Sequence, residues 1–131
     1  MTQWQGFVDN NLTGTGFVTM GAILGTNGSM WAFTPGLPLT QAEAMAIVKA
    51  FSDIDPAWRT GLMVGGQKYS VIRDTQASSV SVLKCMKGMS GFVANKTAKS
   101  VVFGMFNETI QPAQAANVVA QLANYLTHQG Y

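Results

Sequence analysis

The chain has 131 residues, 47% of them hydrophobic, and a net charge of +2. That length fits one domain able to bury about two thirds of its unfolded surface, so a core can form without staples. Only 11% of residues are charged, which excludes a disordered chain, a coiled coil and a basic nucleic-acid-binding tail.

The first element expected is a short helix capped by Thr2. Trp4, Phe7, Val8 and Leu12 fall on one helical face, and the glycines of Thr13–Gly16 end it. Val18–Leu24 reads as a strand. Asn27-Gly28 is a strong hairpin signal, with Ser29–Phe33 returning. Thr40 and Glu43 have capping-box spacing ahead of a helix running to about Ser52, with Asp53-Ile54-Asp55-Pro56 as its exit. Strands are expected over Gly61–Val64, Lys68–Arg73, Ser79–Lys84, Met89–Ala94 and Ser100–Phe106, with turns at Gly65-Gly66 and Asn95-Lys96-Thr97. Pro112 opens a last helix whose apolar stripe is Ala115, Val119, Leu122, Ala123 and Leu126, with Gly130 as its stop. Short connections imply antiparallel pairing. The expected class is α+β: one domain over residues 1–131 with a central antiparallel sheet of six or seven strands.

Catalytic chemistry is sparse. His128 and Cys85 are the only residues of their kinds, too few for an ordinary metal site. Cys85 sits in an expected strand, where a buried inert thiol is the natural reading. Asp53 and Asp55 are the only closely spaced acids, with no base beside them until Arg59, and no phosphate-cradling loop is present. A non-enzymatic protein without cofactor or metal is expected. Met1–Val8 holds no basic residue, so no secretory leader is expected and the working location is the cytoplasm.

Charge and aromatics are unevenly distributed. Gly61–Asn107 carries six basic residues against Asp74 alone, while the rest of the chain sums to −3. That asymmetry reads either as solvated strand lysines or as a face that steers an acidic partner. Trp4 and Phe7 lie near the start, Tyr125 and Tyr131 near the end, and Trp31 follows the hairpin. Large aromatics at both ends imply that the terminal helices dock together.

Trp4-Gln5-Gly6-Phe7-Val8-Asp9-Asn10-Asn11-Leu12, Trp31-Ala32, Lys96-Thr97-Ala98-Lys99, Phe106–Pro112 and the closing Tyr125-Leu126 and Gly130-Tyr131 resemble the profilins, notably those of unicellular eukaryotes. The likeness covers essentially the whole chain. It implies a fold with both terminal helices on one face of the sheet and shorter helical segments on the other. It also implies a monomer of the actin cytoskeleton with three partners. Proline-rich segments of actin-assembly factors would bind Trp4, Phe7, Asn10, Trp31, Tyr125, Leu126 and Tyr131; Phe7 stands where the family often has Tyr, one donor fewer. Monomeric actin would bind Arg73, Lys84, Lys87, Phe92, Asn95, Lys96, Lys99, Gln111 and Asn117, away from the proline groove. Phosphatidylinositol bisphosphate would meet the same lysines. The rival reading of the residues is a small α+β adaptor or sensor that uses its sheet as a ligand or dimer surface.

Overall fold

The structure, a computed structural model, describes residues 4–72 and 81–131. Seven strands form one antiparallel sheet: β1 (Met20–Gly25), β2 (Met30–Phe33), β3 (Leu62–Val64), β4 (Gln67–Val71), β5 (Val82–Lys87), β6 (Ser90–Lys96) and β7 (Ser100–Phe106). Their spatial order is β2-β1-β7-β6-β5-β4-β3. Helices α1 (Trp4–Asn11) and α4 (Pro112–His128) cover one face; α2 (Gln41–Ala50) and α3 (Ile54–Thr60) serve the other. The expected α+β layering is therefore observed. Thr2, Arg73, Ser79 and Val80 fall outside the described residues.

Strand alternation divides the core in two. Leu83 and Cys85 on β5, Phe92 and Ala94 on β6, and Val101 and Phe103 on β7 point toward α2 and α3 and meet Ile47, Phe51 and Ile54. Val93, Val102 and Ile23 point the other way and meet Val8 and Leu12 of α1 and Val119, Leu122 and Leu126 of α4. At eight residues α1 is too short to be stable alone in water. It is held by that burial and by Gln5, whose side-chain amide donates to the Phe33 carbonyl at 2.9 Å.

Three expectations need correction. Ile54–Thr60 is a helix, not an exit: Pro56 lies in its first turn, where the missing N–H has no helical partner in any case. Asn95 and Lys96 are ladder residues opposite Val102 and Val101, so the turn begins at Thr97. The fifth strand starts at Val82 and runs on to Lys87, ending later than Lys84.

The Thr40–Glu43 capping box is present. Glu43 also accepts from the Gly65 and Gly66 N–H groups at 2.9 and 3.0 Å, tying α2 to the β3–β4 turn. Burial alone would raise its carboxyl pKa; hydrogen bonds from Thr40, Gly66 and Gly65 outweigh that and hold it below the usual value. Stability from this group is thus full above the unfolded carboxyl pKa and is lost as pH falls through the lower folded value. Glu43→Ala should cost about 1–2 kcal/mol at neutral pH. Urea melts at pH 7 and pH 3 should find the difference from the parent chain shrinking in acid.

Candidate functional site: an aromatic trough between the chain ends

The five aromatics expected at one place are brought together. Trp4 lies at their centre. Its ring centroid is 4.9 Å from Trp31, 4.7 Å from Tyr131 in an edge-on contact, and 5.9 Å from Phe7. Phe7 in turn meets the Tyr125 ring edge-on at 5.7 Å. Trp4, Phe7 and Trp31 are half-buried, while Tyr125 is 48% and Tyr131 40% exposed. The rings form a solvent-facing trough, with Asn10 exposed beyond Phe7. Leu126 is a correction: it is fully buried, so it floors the trough and presents no surface to a ligand.

Two backbone devices aim these rings. Ile23 pairs with Ala32 and Leu24 with Met30, so Trp31 is the extra residue of a β-bulge. Ala32 already faces the terminal helices and Met30 faces α2. Strict alternation would send Trp31 to the α2 side; the bulge turns it back onto Trp4. A glycine leaves room for it, because a Cβ on Gly25 would sit 2.8 Å from the Trp31 Nε1. At the other end, Gly130 adopts φ +92°. That left-handed residue completes a Schellman turn, with Tyr131 N–H donating to Leu126 O at 2.9 Å and Gly130 N–H to Thr127 O at 3.1 Å. The Tyr131 main-chain oxygen then accepts from the Thr97 hydroxyl at 2.7 Å and from the Lys99 N–H. Thr97 is itself buried, and its hydroxyl accepts from the Ser100 N–H at 3.1 Å. Neither the bulge nor this clasp was visible in the spacing of the sequence.

The second expected set disperses. Phe92 is fully buried, its ring 5.4 Å from Tyr69 and 4.9 Å from Phe103, so it is core and not a surface contact. Asn95 is 9% exposed, and its Oδ1 has no hydrogen-bond partner. Lys87 and Lys96 stand at opposite ends of the β5–β6 pair, about 20 Å apart at the rise of a strand. Lys99 lies against Tyr131, next to the trough and not away from it. Lys84 is exposed on β5, and Gln111 and Asn117 are exposed at the start of α4. Arg73 falls outside the described residues.

A different surface emerges. On the terminal-helix face, α1 packs on β1 and β2 and α4 on β6 and β7. Although Met86 of β5 reaches the edge of the terminal-helix core, among the described residues no helix packs extensively on that face of β5, β4 and β3. Register places Val82, Lys84, Met86, Ser70, Lys68 and Met63 on it, with Ile72 directly after β4. Ile72 is 51%, Val82 43% and Met63 40% exposed. These exposed apolar side chains are interspersed with Lys84, Ser70 and Lys68 on the same face. Apolar–polar alternation alone could not identify it, because it needs the helix placement.

No group of three or more His, Cys, Asp or Glu residues gathers to hold a metal among the described residues, and no described helix is long and apolar enough to cross a membrane. The Cys85 thiol is buried, which pushes its pKa up to about 12 and leaves no thiolate for nucleophilic chemistry.

A family model described as Profilin matches residues 2–131. The chain belongs to the profilin family. Profilins are actin-binding regulators, not enzymes. The chain is 42% identical to profilin-1A of Acanthamoeba castellanii over 128 residues, covering 98% of each. It superposes on the crystal structure of profilin II of the same organism with a TM-score of 0.91 at 40% identity, covering 98% of this chain and 99% of that one. It also matches mouse profilin IIa in complex with a double repeat from the FH1 domain of mDia1, with a TM-score of 0.80 at 25% identity over 99% of this chain and all of that one.

Replacing Gly25 by Ala should push the Trp31 indole off Trp4. The coupled aromatic circular-dichroism signal of the two indoles should fall while the far-ultraviolet spectrum keeps its helix and strand content.

Proposed function

We propose that the chain carries monomeric actin on one surface and a proline-rich segment of an assembly factor on another, and so regulates actin polymerisation. The observation that carries the proline half is the convergence of Trp4, Trp31, Tyr125 and Tyr131 into one exposed trough. A proline tract offers carbonyl acceptors and flat apolar rings, and it is already ordered as a polyproline II helix, so docking loses little entropy. Stacked aromatics tipped with indole N–H and phenol O–H groups complement both features. The FH1 repeat bound to mouse profilin IIa supports the same class of ligand here.

The actin half is assigned to the uncovered β5–β4–β3 surface, with Val82, Ile72, Met63 and Met86 as apolar contacts and Lys84 and Lys68 as charge. Gln111 and Asn117, exposed at the start of α4, are assigned to it as well, and Asn95 pairs with Val82 across the β5–β6 ladder. Arg73 follows Ile72 in sequence and belongs to the same assignment. Lys87 closes the far end of the β5–β6 pair. Two sites on one rigid domain raise the local concentration of actin monomers wherever a proline-rich factor is anchored. The place of action is the cytoplasm, at the actin cytoskeleton. Phosphoinositide headgroups are the least supported partner, because the lysines are spread and only Lys96 and Lys99 bracket one turn.

Intrinsic tryptophan fluorescence during titration with poly-L-proline tests the trough. Tyr125→Ala, at an exposed ring, should weaken binding at least about tenfold with the melting temperature little changed. Trp4→Ala should remove detectable binding. Wild-type affinity in both variants would contradict the assignment. For actin, Val82→Asp together with Ile72→Asp should weaken monomer sequestration at least about tenfold while leaving poly-L-proline affinity as it was.

A further inference from the structure

The trough does not end at its last ring. Helices α1 and α4 run antiparallel past each other: Tyr131 meets Trp4, Tyr125 meets Phe7, and the next turn of each helix puts Gln121 and Leu122 alongside Asn10 and Asn11. There the furrow opens into a recess of about 270 Å³ that Tyr125 shares with the trough. Its floor is apolar, from the buried Val118 and Leu122. Among the described residues no charged side chain lines it. Its walls carry the amides of Asn10, Asn11 and Gln121, none of which makes a side-chain hydrogen bond within the protein among the described residues.

The dimensions decide what reaches this recess. The ring path from Trp31 through Trp4 and Phe7 to Tyr125 has steps of 4.9, 5.9 and 5.7 Å. A polyproline II helix rises about 3.1 Å per residue, so at most about five prolines lie over the rings. A longer tract continues along the same furrow for one more helical turn of about 5.4 Å. We propose that this amide-walled recess is an extension subsite that binds the prolines beyond the fifth, with Asn11 and Gln121 donating side-chain N–H to their carbonyls. The chemistry fits one class of ligand. A proline tract has acceptors and no main-chain donors, and uncommitted amides supply donors without charge. The uncharged walls give no favourable partner to an acidic or basic flanking residue, so the subsite measures the length of the tract. Asn10 and Asn11 line both this recess and the one beside Phe7, and so join trough and extension.

The inference rests on the trough being the proline site, and the test separates the two. Full-length chain is titrated with capped (Pro)5 and (Pro)9, followed by the shifts of side-chain amide resonances in nitrogen–proton NMR spectra. Counting registers alone makes (Pro)9 about fivefold better for any five-residue site, and two amide–carbonyl hydrogen bonds add about a further fivefold to a register that makes both. Three of the five registers reach both donors, one reaches a single donor and one reaches neither, so the expected (Pro)9 to (Pro)5 affinity ratio is about 18 in the parent chain. It should fall to about 5 in the Asn11→Ala, Gln121→Ala double variant; the Gln121→Ala single variant, at a residue that does not line the recess beside Phe7, should lower it part-way with (Pro)5 affinity unchanged. The near-isosteric Asn11→Asp, Gln121→Glu pair, which removes the donors and keeps the shape, should lose the gain as well. The Asn11 and Gln121 amide signals should move with (Pro)9 and stay still with (Pro)5. An unchanged ratio in both double variants overturns the subsite while the trough stands. Failure of both peptides to bind the parent chain overturns the trough and the subsite together.

Discussion

The N-terminal helix, the β1–β2 hairpin and the last residue of the chain meet at one side chain. The Trp4 indole is wedged between Trp31 of a hairpin and Tyr131 at the far end of α4. Each such aromatic pair contributes roughly 0.5–1.5 kcal/mol beyond the area it buries. That is enough to fix a helix of about two turns and a terminal residue that would otherwise fray. The same contact creates the binding surface, so docking of the termini and formation of the trough are one event. A rigid, pre-formed receptor facing a pre-ordered ligand loses little entropy on either side.

The sheet keeps the two proposed partner surfaces apart. The terminal helices cover only its β2-β1-β7-β6 portion. Their outer furrow forms the trough, and the strands they leave bare form the second surface. Both belong to one face of one sheet. The opposite face is sealed by α2 and α3 over a core that includes Phe92, Phe103 and the buried Cys85. The low charge of the chain suits this arrangement, since both surfaces are largely apolar with polar tips and the lysines are thinly spread.

Much of this was legible in the sequence, and the failures have physical causes. The 3.6-residue stripe of Ala115–Leu126, the Asn-Gly hairpin and the Thr40–Glu43 box each encode their element locally, and each is present. The ends of the chain could be matched because Trp and Tyr in terminal segments need a place to dock. Helix α3 was missed because Pro56 reads as a breaker unless its position within the first turn is known. Phe92 was misplaced because a strand buried on both faces shows no alternation to separate outward residues from inward ones. Lys87 and Lys96 are close in sequence yet lie at opposite ends of one strand pair. The bare β5–β4–β3 surface and the amide recess are products of tertiary placement, which no local pattern carries.

The central claim is that side chains from both ends of the chain act together as one receptor for proline. Intermolecular nuclear Overhauser effects between a bound proline tract and the protein read that contact atom by atom. The account predicts cross-peaks from proline ring protons to Trp4, Trp31, Tyr125 and Tyr131 in a single complex. Cross-peaks confined to one terminus, or to Val82 and Ile72 on the bare strands, would contradict it.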